Sequence, residues 1–281
     1  MTIINSSNSS NSSNSSKYLI YFTVGFNATF INVLDLSIKT LMFYISSLPE
    51  TIANNIDIVI ICDENMKDIC NDKFSKYAII IPVPNSTEAA YASINKLKIF
   101  EIYPNIMQYA SVLFIDSDII IHTNIMKYFE KINKIDTLYV YTEDTNVNAH
   151  TTQWFSYNNY SQQDIEYFRK DNIHVFNAGL FGFIPDQNMK QHFTNIITFI
   201  STYNGPLVIY EQSFMNVYFN KLNNTDRALL TTDTYIMFPH RLPDQSHEGK
   251  LIHFCGGLGD ANGKYKDMKN YINKYMQLAI D

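Results

Sequence analysis

The sequence predicts an α/β fold built on a mostly parallel central sheet with helices on both faces. Three observations carry this. Short runs rich in Val and Ile recur, as strands buried on both faces require. Segments with apolar residues at helical spacing separate these runs through the first half of the chain. Several runs stop abruptly at Gly, Asp or Pro, where a strand gives way to a loop. Strand–helix alternation of this kind argues for parallel strands joined by covering helices.

The elements follow in order. Residues 17–24 read as the first strand, broken by Gly25-Phe26-Asn27, and a helix is expected over 30–48. Residues 57–63 form a second strand that ends in an acid, Asp63, and 77–83 a third, stopped by Pro82 and Pro84. A helical pattern over 89–103 leads into 112–121, read as one buried strand carrying Asp116 and Asp118. Residues 137–142 are another short strand. The second half is less regular. An aromatic, polar stretch over 150–172 holds the single tryptophan, Trp154, and 175–183 is an apolar run with two glycines. Helices are expected over 187–203 and 211–222, then a strand over 250–254, the loop Gly256-Gly257-Leu258-Gly259, and a helix over 266–278. Residues 1–16, with repeated Asn-Ser-Ser, cannot bury apolar area and are expected to be a disordered tail. With no internal repeat and no clear linker, 17–281 are expected to form one domain.

Composition bounds the function. Hydrophobic residues make up 46% and charged residues 17% of 281, enough for a sizeable core. The net charge of −6, without clustered Lys or Arg, disfavours nucleic-acid binding. Cys62, Cys70 and Cys255 lack zinc-like spacing and suggest a reduced, cytoplasm-like compartment. No apolar run approaches the ~18 residues of a membrane span, and no secretory signal is visible. Enrichment in Tyr, Asn and Ile fits an AT-rich genome and points to a viral or microbial source, with the host cytoplasm or virion as the viral setting. Oligomeric state stays open, a homodimer included.

The chemistry concentrates at Asp116-Ser117-Asp118. On a strand the two acids would point the same way and Ser117 the other. Paired carboxylates repel unless a cation lies between them. Ligands of open α/β sheets bind at the carboxyl ends of strands. A hard divalent cation, Mg²⁺ or Mn²⁺, suits oxygen ligands there. The plainer alternative is two solvated acids closing a strand.

Five segments in order resemble glycosyltransferase family 8, the group of glycogenin and bacterial galactosyltransferases, over roughly residues 18 to 270. Phe22-Thr23-Val24-Gly25-Phe26-Asn27, followed by Phe30, resembles the strand and loop that hold uridine. Lys96 stands where the family keeps a basic residue near the diphosphate, and Asp116-Ser117-Asp118 matches its metal-binding Asp-x-Asp. Phe176-Asn177-Ala178-Gly179 matches the Phe-Asn-x-Gly segment beside the donor sugar. Glu211-Gln212 aligns with an Asp-Gln pair, Glu replacing Asp. His253 to Gly256 matches His-x-x-Gly, which implies His253 as third metal ligand and Mn²⁺ ahead of Mg²⁺. Gly259 stands where the family has Lys, so the resemblance is read with an enlarged phosphate loop in which Lys264, or else Lys266, reaches the diphosphate.

The resemblance implies a GT-A, Rossmann-like domain that moves a hexose, glucose by analogy with glycogenin, from a UDP-sugar to a hydroxyl of a glycan or protein with retention. It implies sugar contacts for Asn177 and Gln212, and a place for Glu211 near the anomeric carbon. None of the 20 tyrosines has a convincing acceptor-segment context. Two other readings remain at this point: a non-catalytic nucleotide-sugar or glycan-binding module, and a haloacid-dehalogenase-like phosphatase, which also places Asp-x-Asp after an apolar strand. The six remaining histidines carry no motif.

Overall fold

The computed structural model describes residues 16–146, 163, 166, 174–204, 210–237, 245–256 and 260–279. The Asn/Ser repeats, almost all of the aromatic stretch over 150–172, and Gly257 to Gly259 lie outside the described residues. The described strands are β1 (Tyr18–Val24), β2 (Ile56–Asp63), β3 (Ile79–Val83), β4 (Ser111–Ile115), β5 (Ile119–His122), β6 (Leu138–Asn146), β7 (His174–Phe183), β8 (Thr225–Asp226), β9 (Thr234–Met237) and β10 (Lys250–Phe254). The helices needed below are α1 (Phe30–Ile45), α2 (Lys67–Phe74), α3 (Ala89–Ile94), α4 (Gln187–Thr202), α5 (Tyr210–Leu222) and α6 (Ala261–Tyr275). No described helix is long and apolar enough to cross a membrane.

Seven strands form one sheet in the order β3-β2-β1-β4-β7-β6-β8. Only β7 runs against the others, pairing antiparallel with β4 and β6. A second sheet, β5-β10-β9, pairs β10 antiparallel with β5 and parallel with β9.

The near-continuous apolar runs are explained by burial on both faces. On β1, Ile20 and Phe22 join a cluster with Leu34 and Ile38 of α1. Leu19 and Tyr21 face the other way, into a cluster with Phe193 of α4 and Phe214 of α5. Truncating the fully buried Phe22 to alanine would cost about 3–5 kcal/mol. A third cluster joins Val33 and Leu36 of α1 to Ile252 and Phe254 of β10 and to Met268 and Ile272 of α6, locking the second sheet against the first.

Three expectations need correction. The single strand over 112–121 is two strands in different sheets. Ile115 ends in the large sheet beside β1 and β7, while Ile119 begins in the small one beside β10. Asp116-Ser117-Asp118 is the turn between them, closed by Ile119 N–H donating to Asp116 O at 3.2 Å. The acids therefore converge through a turn, not through strand alternation. The helix over 89–103 breaks after Ile94 into a tighter 3₁₀ segment over Asn95–Lys98 before Ile99–Ile102 resumes. That segment buries Asn95, Lys96 and Leu97 together, which a solvent-facing helical lysine would not do. The last helix starts at Ala261, not 266, because the Asp260 side chain accepts a bond from Gly263 N–H at 2.9 Å and caps it. Lys264 thus lies in the first turn of α6 and not on a loop.

Candidate active site

The central cluster is assembled where the two sheets meet. Asp116 N–H donates to Gly179 O at 2.7 Å, tying the turn after β4 to β7. Beyond the turn, Ile119 pairs with His253, and Phe254 N–H donates to Asp118 O at 3.0 Å. This ladder sets His253 beside Asp118, with Nε2 3.2 Å from Oδ1. One ligand atom each from Asp116, Asp118 and His253 lies within 4.8 Å of the others. Asp118 Oδ1 is buried and accepts no hydrogen bond, an arrangement that costs free energy unless a cation meets it. Two carboxylates and an imidazole fit Mn²⁺, or Mg²⁺ less well. Gly179 is required by space here: a Cβ would sit 2.6 Å from both Asp116 Oδ2 and His253 Cε1.

Two ammonium groups flank the acids. Lys96 Nζ donates to Glu211 Oε1 at 2.8 Å, Asp116 Oδ1 at 3.3 Å and Ala178 O at 3.2 Å, and lies over the Phe114 ring. The Lys96 side chain is 3% exposed, a burial lysine tolerates only when paired. Burial works against its charge, but Asp116 and Glu211 more than offset this and raise its pKa. Lys264 Nζ donates to Asp118 Oδ2. Burial opposes the Asp118 carboxylate, yet Lys264 and His253 hold its pKa well below the usual range. At Asp116 burial prevails over the pull of Lys96, and neighbouring Asp118 adds repulsion, so its pKa is raised. Two ammoniums thus stand among three carboxylates, those of Asp116, Asp118 and Glu211.

The segment facing this cluster comes from β7 and α5. Asn216 of α5 clamps the strand, accepting from Phe176 N–H at 2.9 Å and donating to Phe176 O at 2.8 Å. Gln212 Oε1 accepts from Ala178 N–H at 2.9 Å, and Asn177 Oδ1 accepts from Gly179 N–H at 2.7 Å. Both side-chain carbonyl oxygens therefore serve the backbone. The Gln212 amide nitrogen and Glu211 Oε2 are buried without partners, which points them to a ligand. Tyr210, immediately before Glu211, holds a strained positive φ of 45°. It also lines a cavity of about 650 Å³ with Glu88, Tyr91, Lys98 and Tyr203.

The loop after β1 lies at the same sheet end, since β1 and β4 are parallel with Tyr21 opposite Phe114. Thr23 and Val24 close the strand, and Asn27 Oδ1 accepts from Thr29 N–H at 3.0 Å, shaping the entry to α1. Phe30 opens α1 with its ring 6.0 Å from Lys264 Nζ, which places it beside the acids. Ser117 is partly exposed between the acids, and Gly256 takes φ 86°, a conformation glycine adopts without strain.

Two contributors escaped the sequence reading. Buried Asp63 accepts from Phe26 N–H at 2.7 Å, Ser86 N–H at 3.1 Å and Ser86 Oγ at 2.9 Å, and so holds the Gly25-Phe26 turn. Its position as an acid ending a strand was the available signal. Tyr141 bonds His253 Nδ1 across 112 residues, and nothing local announces that.

The family description "Glycosyl transferase family 8" matches residues 4–258. No curated protein matches the sequence. Among solved structures, the chain is similar to the galactosyltransferase LgtC in complex with donor and acceptor sugar analogs. That likeness has 10% identity and a TM-score of 0.57, over 93% of this chain and 97% of that one. A glycosyltransferase involved in glycosylation of the major capsid of PBCV-1 is similar at 12% identity and TM-score 0.53, over 91% and 100%. Mouse xyloside xylosyltransferase 1 is similar at 12% and 0.53, over 89% and 99%. These likenesses show the fold, of GT-A type. The phosphatase and non-catalytic readings give way to the family match: the chain belongs to glycosyltransferase family 8 and is a glycosyltransferase.

Proposed function

We propose that the chain moves a hexose, glucose first, from a UDP-sugar to a hydroxyl of a glycan or protein, with retention and with Mn²⁺ bound. The observation that carries this reading is the convergence of Asp116, Asp118 and His253 within 4.8 Å, flanked by Lys96 and Lys264. Asp116, Asp118 and His253 are the residues to hold the cation, which when bound supplies Lewis-acid neutralisation of the diphosphate.

The chain's own residues do the rest. Lys264, in the first turn of α6, where a helix N-terminus disfavours a lysine, is held beside the proposed cation site by Asp118. Its ammonium stabilises charge growing on the leaving UDP. Lys96 fixes Glu211 and Asp116 relative to each other. The unpartnered Gln212 amide nitrogen donates to the sugar, and Glu211 Oε2 faces the same space. Asp63, through Gly25 and Phe26, shapes the loop that takes the uridine, with Thr23, Val24 and Asn27 around it. The cavity beginning at Tyr210 offers aromatic and polar walls to an acceptor. Residues 17–281 act as one catalytic domain in this reading, in a compartment that keeps Cys62, Cys70 and Cys255 reduced. The named neighbours, a galactosyltransferase and a xylosyltransferase among them, support sugar transfer as the class.

The test is a panel of UDP-glucose, UDP-galactose, UDP-N-acetylglucosamine and UDP-xylose, each with Mn²⁺ or EDTA, read by thermal shift and UDP release. A Mn²⁺-dependent rise in melting temperature with UDP released from one donor is expected. No shift and no release with any donor would contradict the proposal.

A further inference from the structure

We propose that Tyr141 is a positioning residue for His253, holding the imidazole by Nδ1 so that Nε2 is turned toward Asp116 and Asp118. The inference rests on the cation site proposed above and adds a residue from outside every motif of the chain. Tyr141 and His253 lie on β6 and β10, strands of different sheets, and both are almost fully buried. The Tyr141 hydroxyl is hydrogen-bonded to His253 Nδ1, and the two rings meet edge to face with centroids 6.0 Å apart.

The backbone shows why Tyr141 reaches this place. Along β6, Val140 pairs with Phe181 of β7, but the next residue, Tyr141, pairs with Asn177. The register jumps over Ala178, Gly179 and Leu180, which bow out of the β6 ladder, and Leu180 pairs with β4 while Gly179 O takes the Asp116 amide. Irregularities of this kind sit beside active sites and re-aim a side chain. The same bow that brings Gly179 against Asp116 and His253 sets Tyr141 opposite Asn177 and behind the imidazole.

A tyrosine hydroxyl can donate to Nδ1 or accept from it, so the contact fixes the ring's orientation whichever tautomer is present. Held by Nδ1, the ring turns Nε2 toward the acids, 3.2 Å from Asp118 Oδ1, where a cation would take its lone pair. Phenylalanine at 141 would keep the ring and remove the hydroxyl from His253 Nδ1.

The experiment measures Mn²⁺ binding to the full chain by the loss of the free-ion EPR signal, in wild type, Tyr141→Phe, His253→Gln and the double variant. Tyr141→Phe is expected to weaken Mn²⁺ binding about 10–100-fold, the usual effect of losing an outer-shell partner. The double variant should bind no more weakly than His253→Gln alone, because Tyr141 acts only through His253. Additive losses, or unchanged affinity in Tyr141→Phe, overturn the inference and leave the cation site standing. No binding to wild type overturns the cation site itself. Since a variant can fail to fold, ¹⁵N-histidine spectra of wild type and Tyr141→Phe in EDTA give a second reading and show whether the variant is folded. The His253 Nδ1 resonance should move in Tyr141→Phe, and an unchanged resonance overturns the inference.

Discussion

A methyl group at residue 179 tests the geometry of the site more sharply than removal of any one ligand. The Cβ of Gly179→Ala would lie 2.6 Å from Asp116 Oδ2, 2.6 Å from His253 Cε1 and 2.9 Å from Asn177 Oδ1. Each distance is below 3.0 Å, so a neighbour must move, by roughly 0.8 Å at the closest two to restore ordinary contact. None moves freely. Asp116 is held by the hydrogen bond from its N–H to Gly179 O and by Lys96, and His253 by the β10 ladder and Tyr141. Overpacking of this kind costs about 1–3 kcal/mol. In a chain of this size that lowers the melting temperature by roughly 2–12 °C. Because two of the three clashing groups are the proposed ligands, Mn²⁺ affinity should fall at least about tenfold, as for a lost outer-shell support. Melting in EDTA and Mn²⁺ titration by EPR read the two effects separately. Gly249→Ala is the control. Gly249 has φ 85° and open space around its Cβ position, so its variant should lose some stability and keep its Mn²⁺ affinity. Unchanged Mn²⁺ affinity in Gly179→Ala would mean that Asp116 and His253 do not converge behind Gly179.

Other expectations follow from individual contacts. Lys96→Met strands the buried Glu211 carboxylate and should cost about 3–5 kcal/mol in urea unfolding. Adding Glu211→Gln should recover part of that loss, and no recovery would refute the pairing. Asp63→Ala leaves the amides of Phe26 and Ser86 without an acceptor. It should cost about 1–3 kcal/mol and raise KM for the UDP-sugar more than it lowers kcat; a pure kcat defect would argue against a loop-shaping role. The buried His122 imidazole, bonded to Tyr271 OH at 2.9 Å, has its pKa lowered by burial, only partly offset by Glu248. The unfolded chain then binds the proton first, so this contribution is complete above the unfolded pKa near 6.5 and shrinks as pH falls toward the folded value. Unfolding midpoints should drop from pH 7 toward pH 5 less steeply in His122→Gln than in wild type, and identical slopes would contradict the assignment.

The parallel sheet was legible because its central strands are buried on both faces and their middles carry only Val, Ile, Leu and aromatics, as in Leu19 to Phe22 and Ile58 to Ile61. The acids, His253, Lys96 and Lys264 were legible as residue types at motif spacing. The turn at Asp116-Ser117-Asp118 was not, since apolar runs on either side read alike whether or not the chain changes sheets between them. The early start of α6 was signalled by Asp260 three residues before Gly263, and the intervening small residues masked it. Tyr141 was invisible because its partner lies in another sheet and its orientation depends on a register jump in β7.

The most direct measurement is anomalous diffraction at the manganese edge from crystals grown with Mn²⁺ and UDP. The account expects one peak in contact with Asp116, Asp118 and His253, with the UDP diphosphate against it and Lys264 on the phosphates. A peak elsewhere, or UDP bound with no peak between these residues, would contradict it.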